Sequence, residues 1–441
     1  MSVAKRPLIR RVLAAYSRIL PFAFLVFLAF QFALVRFERL WDLFRFVLRG
    51  HATSWDFQLF YAAGYLARAG LGDQIYDLAS MSDWIERLTG SPADSARYNY
   101  PPFVALAFSP LSWLSYTTAF QWWFGINGAT LLLLGVVLWR LAAPAPAWQR
   151  ALLLAATVLS DAVYHVMAPG QVSGFAVLAL AGGLLLLRRG RDGTAGALLS
   201  LAVIKPQLAA GILLLLVLRA RWRALVAFVA MVGALSLVGL AVLGPKTHME
   251  MLQFLASQTG AGGVADVHYA RMHNWRALLA GFDLDSNVAA YAGTFLLMSV
   301  ASLAGALWAW RAGPARGDGR GNQEWAVALL LPLLVTPHLW TQDLLVLSLV
   351  GALALSQFAR ADAGLGRQIA GAVVILASYA VLSETYVLAR HERSLTVLPL
   401  LAAFIWACAT TWSRVESAGT SRRAARAIGA LAPAGVHRPY R

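Results

Sequence analysis

The sequence predicts an all-α polytopic membrane protein. Three observations carry that prediction. Of 441 residues, 59% are hydrophobic and 13% are charged, whereas soluble domains hold roughly 45–50% apolar and 25% charged residues. Mean hydropathy is +0.62. Apolar stretches recur along the chain, and the short connections between them are basic at every second interval. This composition excludes a soluble multidomain enzyme, a disordered chain and a disulfide-stapled secreted protein. The single cysteine, Cys408, has no partner for an internal disulfide. The net charge of +16 fits the positive-inside bias of membrane proteins better than a nucleic-acid surface, because no basic stripe belongs to a soluble segment.

The first apolar run, near 14–35, lacks a small-residue cleavage site and reads as a first span rather than a signal peptide. Further spans are expected near 119–140, 151–166, 172–187, 194–204, 207–218, 224–243, 291–310, 325–337, 344–357, 368–388 and 395–412, about twelve in all. Residues 194–204 would rise only about 16 Å as a helix, against a hydrocarbon core about 30 Å thick. Residues 194–218 therefore read as a pair of broken helices meeting at Lys205-Pro206. Residues 103–118, interrupted by Pro110, read as a segment that dips in and returns.

Basic clusters occur at Lys5–Arg18, Arg140/Arg150, Arg188–Arg191, Arg219–Arg223, Arg311–Arg320, Arg360/Arg367 and Arg414–Arg441, and the set of segments built on them holds 24 of the 37 Lys and Arg but 5 of the 21 Asp and Glu. Placing all of them in the cytoplasm gives consistent alternation, with both termini inside. The chain then divides into one transmembrane domain over 1–412 and a basic cytoplasmic tail over 413–441. Two large extracytoplasmic loops, 36–102 and 244–290, interrupt the domain. In the first, Trp55, Leu59, Ala62 and Leu66 form a stripe at helical spacing, which predicts an amphipathic helix lying at the interface.

Polar groups at membrane depth are costly and are functional candidates for that reason. Asp56, between Trp55 and Phe57, is either a general base near a low-dielectric surface or a solvated acid. Tyr98-Asn99-Tyr100-Pro101-Pro102 sets an extended entry into a helix. Asp161 and His165, four apart, share a helix face before the Pro169-Gly170 break, and make either a local hydrogen bond or a catalytic pair. Gln171 is expected to open the next helix, where free backbone N–H groups could meet an anion. Lys205, alone between apolar halves, needs either a lipid phosphate or an internal carboxylate, Asp161 or Asp343. In the second loop, Arg271, His273 and Arg276 are placed to read phosphate or sugar hydroxyls. His268 and His273 lack a zinc spacing, and no metal is expected. His338 and Asp343 sit at one depth, with Thr341 as the expected N-cap. No Walker A, GxGxxG, CxxC or HExxH pattern is present, so no nucleotide cofactor is expected.

The order of these motifs resembles a known family. An acidic residue follows span one. Tyr100-Pro101-Pro102 comes next, then Pro169-Gly170-Gln171-Val172, then Ile204-Lys205-Pro206-Gln207 before Arg221-Trp222-Arg223. Thr336-Pro337-His338 with Asp343 closes the set. Over about 50 to 360 it resembles glycosyltransferase family 87, integral-membrane enzymes of the GT-C superfamily. The resemblance implies a GT-C-like fold and inverting transfer of a hexose, mannose foremost. The donor would be a polyprenyl-phosphate sugar and the acceptor a lipid or glycan on the extracytoplasmic face. It maps the family's acidic base onto Asp56 and its proline-histidine segment onto Pro337-His338. Lys205, with Arg271, His273 or His338, would stabilise the leaving phosphate. Related members often carry a second histidine where this chain has Thr341-Gln342-Asp343. By the same analogy no cofactor is required, and the Ala/Arg/Gly-rich composition points to a bacterial inner membrane. The alternatives are a polytopic transporter and a lipid-linked glycan polymerase or ligase.

Overall fold

The computed structural model describes residues 41, 45, 47, 55–92, 97–259, 272–280, 282, 288–312, 321–336, 338–360 and 397–409. The expected spans at 14–35 and 368–388, and the tail over 413–441, lie outside them. Every regular element among the described residues is helical. An outer group comprises α1 (Trp55–Arg68), α2 (Leu78–Thr89) and α3 (Pro102–Phe108), with 3-10 turns at Gly72–Gln74 and Ser109–Trp113. The bundle follows with α4 (Tyr116–Leu141), α5 (Ala147–Val158), α6 (Asp161–Met167), α7 (Ser173–Arg188), α8 (Asp192–Leu199) and α9 (Pro206–Leu218). Then come α10 (Trp222–Thr259), α11 (Trp275–Ala280), α12 (Val288–Ala312), α13 (Asn322–Val335) and α14 (Leu347–Arg360), with 3-10 turns at Ser200–Ile204 and Thr341–Val346. A last helix, α15, covers Val397–Ala409.

Four described segments are long and apolar enough to cross a membrane: Tyr116–Leu141, Trp222–Phe254, Ala289–Arg311 and Thr341–Ala359. Counting the bent pair α5–α6 as one span makes five. The sequence reading expects about twelve. Two of the expected spans, 14–35 and 368–388, lie outside the described residues, and α7, α8 with its 3-10 turn, α9, α13 and α15 are apolar but only 10–17 residues long. Only 11% of the apolar window of Trp222–Phe254 is buried, against 89% for Thr341–Ala359. The first therefore turns a large apolar surface outward and the second runs through the middle of the bundle, as in a protein whose surroundings are lipid. This is a multi-pass membrane protein.

Two large apolar cores hold the described residues together. The bundle core runs from Leu134 on α4 through α7, α9 and α13 to Phe404. The outer core is aromatic and includes Phe57, Phe60, Tyr61, Tyr98, Phe108, Phe120 and Trp123. The expected interfacial helix is α1, and it is built differently from the expectation. Besides Ala62 and Leu66, residues Phe57, Phe60, Tyr61 and Ala63 are buried. Burial thus extends around most of the helix rather than along one stripe, because α2, α3 and the Ser109–Trp113 turn all pack on it. Residues 103–118 do not form a spanning helix. Pro101 and Pro102 start α3, which turns into the 3-10 segment at Ser109-Pro110.

Candidate active site

The two cores meet at the turn Pro169-Gly170-Gln171, and the polar residues converge there. The turn is fixed from three sides. Phe57 N–H donates to Pro169 O at 2.9 Å, Gln171 N–H to Val166 O at 2.9 Å, and Trp123 Nε1 to Gly170 O at 2.7 Å. Gly170 has φ +74, and a Cβ there would stand 2.8 Å from Phe57 Cβ. Both its backbone conformation and the space around it call for glycine. The first contact sets α1 against the turn and so brings Asp56, the neighbour of Phe57, to Gln171.

Around Asp56 the groups are ordered by their chemistry. Tyr100 Oη donates to Gln171 Oε1 at 3.2 Å. With its oxygen so occupied, Gln171 uses its amide N–H on the Asp56 carboxylate. Burial raises the proton affinity of Asp56 above the usual carboxylate range, and the carboxylate of Asp343 adds to that. The Gln171 hydrogen bond and the charges of Lys205 and His165 oppose it. Asp56 is nevertheless only half-buried by surface.

Lys205 caps α9, where the fixed φ of Pro206 starts the helix. Its Nζ donates to Asp343 Oδ1 at 2.7 Å, with both side chains almost fully buried. Ser173 Oγ donates to the same oxygen at 3.0 Å, and Trp340 N–H to Oδ2 at 3.3 Å. Of the partners that the sequence left open for Lys205, the structure supplies Asp343. Asp161 lies instead beneath His165, whose Nδ1 is 2.9 Å from Asp161 O and 3.7 Å from Asp161 Oδ2.

Several sequence expectations change here. Gln171 does not open α7. That helix begins at Ser173 with Val172 as N-cap, and the Gln171 N–H is already bonded to Val166. Thr341 is not the N-cap of its 3-10 turn, since Trp340 takes that place. The Thr341 hydroxyl is 3.0 Å from His273 Nε2. His273 is fully buried, and burial with the charge of His165 lowers its pKa to about 3. It is therefore a neutral imidazole bracing Thr341, not a cation for a phosphate. His338 is not among the hydrogen-bond partners of the Lys205–Asp343 pair. Burial and the charges of Arg276 and Arg97 lower its pKa. Arg271 lies outside the described residues. Sequence reasoning missed Ser173, which looks like any serine at the head of an apolar run. Among the described residues no group of three or more His, Cys, Asp or Glu is placed to hold a metal ion.

The site thus combines a desolvated carboxyl, a glutamine that orients it and a buried ammonium, at the edge of an apolar bundle. The family description of glycosyltransferase family 87 matches residues 98–337. The chain belongs to glycosyltransferase family 87. It is a membrane glycosyltransferase, and the match takes in Tyr100, Gln171, Lys205 and His273. Asp56, His338 and Asp343 fall outside the matched residues. No curated protein and no solved structure is significantly similar to this family 87 enzyme.

Proposed function

We propose that this family 87 enzyme transfers a hexose, mannose foremost, from a polyprenyl-phosphate donor to a hydroxyl of a lipid or glycan acceptor, with inversion and with Asp56 as general base. The observation that carries the reading is the desolvated but half-buried carboxyl of Asp56, oriented by Gln171 and within the field of Lys205. The acceptor hydroxyl gives its proton to Asp56 while its oxygen attacks the anomeric carbon. The bond from that carbon to the phosphate oxygen breaks, and the electron pair leaves with the polyprenyl phosphate. Asp343 takes one N–H of the Lys205 ammonium, which carries three. The others are available to the developing phosphate charge. Tyr100 acts through Gln171, and His338 with Arg276 offers a second polar contact for donor or acceptor. The chemistry as written draws on no cofactor or metal.

The same reading places residues 1–412 in one GT-C-type transmembrane domain in a bacterial inner membrane, with both termini cytoplasmic and the loops 36–102 and 244–290 outside. A recess of about 420 Å³ on the outward face of α4, lined by Gln121, Trp122, Gly125, Ile126 and Ala129, suits an isoprenoid tail. The opposite face of that helix carries Trp123, which bonds the turn beside Asp56.

The test is sugar transfer in liposomes. Wild type and Asp56→Asn are given a panel of polyprenyl-phosphate sugars that includes mannose, with membrane extract as the acceptor source. The expected result is labelled product from wild type and a rate about 100-fold lower or worse from a folded Asp56→Asn. Equal rates for the two would remove Asp56 from the role of base.

A further inference from the structure

The outer group carries a stack of arginines and aromatic rings that the mechanism above does not use. It starts where α1 grips the Ser109–Trp113 turn. Tyr61 Oη donates to Leu114 O at 2.7 Å. Arg68, in the last turn of α1, donates from Nε to Ser112 Oγ at 2.9 Å and from Nη2 to Ser112 O at 3.3 Å. Its guanidinium carbon stands 4.3 Å from the centroid of the Trp113 ring and 5.1 Å from that of Tyr65. Tyr65 meets Trp84 of α2 at 5.3 Å. Trp84 Nε1 donates to Gln74 Oε1 at 2.8 Å, and Arg87 lies 5.3 Å over the Trp84 ring. Guanidinium groups and rings thus form one continuous stack across α1, α2 and the turn.

The stack is open to its surroundings. Arg68 and Arg87 are exposed, and Trp113 is 75% exposed. No acidic residue follows Asp56 in α1 or occurs within 109–122, whereas Arg87 shares α2 with Asp83 and Glu86. The dominant charge is therefore that of Arg68. Its bonds to Ser112 use one N–H on Nε and one on Nη2, which leaves the Nη1 pair for a ligand. Because the rings already meet guanidinium groups, the chemistry offered outward is that of N–H donors, which suits a phosphodiester. The location points the same way. Ser115 caps α4, whose 26 residues rise about 39 Å, close to the thickness of a bilayer with its headgroups, about 40–45 Å. A span of that length sets Trp113, just ahead of its cap, at headgroup level, where tryptophan and arginine are favoured. The far end of the same helix repeats the arrangement, with Arg150 4.3 Å over Trp139.

We propose that Arg68 and Trp113, backed by Tyr65 and Trp84, form a headgroup site for anionic phospholipid of the surrounding bilayer. The guanidinium donates to the lipid phosphate, and the exposed indole lies among the headgroups beside it. The occupant is a bilayer lipid rather than free phosphate, because the exposed ring adjoins the cation and a free ion would leave it uncovered. The site also has a mechanical role. Asp56 stands in the first turn of α1 and Arg68 in the last, about 18 Å apart along the axis. Lipid held at Arg68 ties the helix that carries Asp56, and with it the outer group, to the membrane surface.

Full-length enzyme in neutral detergent tests this by Tm, titrated with phosphatidylglycerol, phosphatidylcholine or inorganic phosphate. Phosphatidylglycerol is expected to raise the Tm of wild type where the other two do not. Arg68→Gln should need about five-fold more phosphatidylglycerol for the same rise, and Arg68→Lys should keep most of the response. Lys246→Gln, which removes an exposed cation paired with Asp73 of the same group, should respond as wild type does. A second readout uses liposomes, in which a nitroxide on the lipid headgroup should quench the fluorescence that Trp113→Phe removes. A response of Arg68→Gln equal to that of wild type overturns the proposal. So does an equal loss in Lys246→Gln or an equal rise with phosphatidylcholine, since neither is specific to an anionic lipid at Arg68. A Tm rise with inorganic phosphate alone marks a free-anion site and overturns it too. Should Arg68→Gln fail to fold, the quenching decides, and Trp113 fluorescence untouched by the headgroup nitroxide overturns the proposal.

Discussion

Gln171 has two polar ends, and the site uses both. Tyr100 donates to its oxygen, so its amide hydrogens face Asp56. Replacing Gln171 by Leu removes a hydrogen bond that lowers the proton affinity of Asp56. The pH–rate profile of Gln171→Leu should then show its acid limb displaced upward. Lys205→Met should move the limb the same way, because the ammonium also holds Asp56 ionised. The sign is fixed by the base. Activity needs the carboxylate, and it falls as pH drops through the Asp56 pKa, which burial already places above the usual range. An acid limb in Lys205→Met unchanged from wild type would show that Lys205 does not reach the base. Asp56, Tyr100, Gln171 and Lys205 are legible in the sequence because each is a polar residue where the chain enters or leaves an apolar stretch. The choice between Asp161 and Asp343 for Lys205 is not legible. It depends on the approach of two helix ends 138 residues apart.

The turn between α6 and α7 is the element on which the site depends. Its backbone holds α1 through Phe57 and is held by Trp123. Gly170→Ala would add a methyl group 2.8 Å from Phe57 Cβ and 3.2 Å from Trp123 Cδ1, at positive φ. A loss of about 2 kcal/mol is expected, the scale of overpacking with backbone strain. Thermal unfolding in detergent should show it, together with a fall in transfer rate, since Asp56 shifts with Phe57. The sequence marks this break through Pro169-Gly170, and most apolar runs do become helices close to their expected limits. It does not reveal which runs are long enough to cross. Run length is local, whereas Lys205-Pro206 and the break before Asp161 divide apolar sequence into short helices that neighbours must cover. The burial of α1 was hidden for a related reason. Its second and third faces are covered by α2 and α3, and nothing in its own spacing announces them.

Across the whole molecule, α9 links two charged regions. Lys205 stands at its first turn and Arg219 at its last, about 20 Å along the axis. Arg219 grips Glu324 through Nε at 3.1 Å and Nη2 at 2.7 Å, and also reaches Trp310 O. Arg221 grips Asp192 in the same two-pronged way. These pairs join α8, α9 and α13 at the end away from Asp56. Removing one partner of such a shielded pair leaves the other uncompensated, at a cost of roughly 3 kcal/mol. Glu324→Ala should therefore lower Tm markedly, while the donor KM of the enzyme that remains folded stays at the wild-type value. A changed KM with unchanged Tm would contradict that separation. The alternation of basic connections made this end of the molecule legible, but not its pairings.

The close helix contacts within the bundle have a wider consequence. A Cβ at Gly211 would fall 2.0 Å from Ala328 O, and one at Gly196 would fall 2.0 Å from Ala224 O. At both places backbone rests on backbone, the kind of contact that holds helices together in lipid. The spacing of α9 against α13, and of α8 against α10, has no slack in either direction. Lys205 is thus mounted on a floor that tolerates almost no redesign, while Asp56 descends from an outer group with its own aromatic core. Such a division suits diversification: descendants can remodel the outer group to accept new hydroxyl partners while the inherited phosphate end stays as it is.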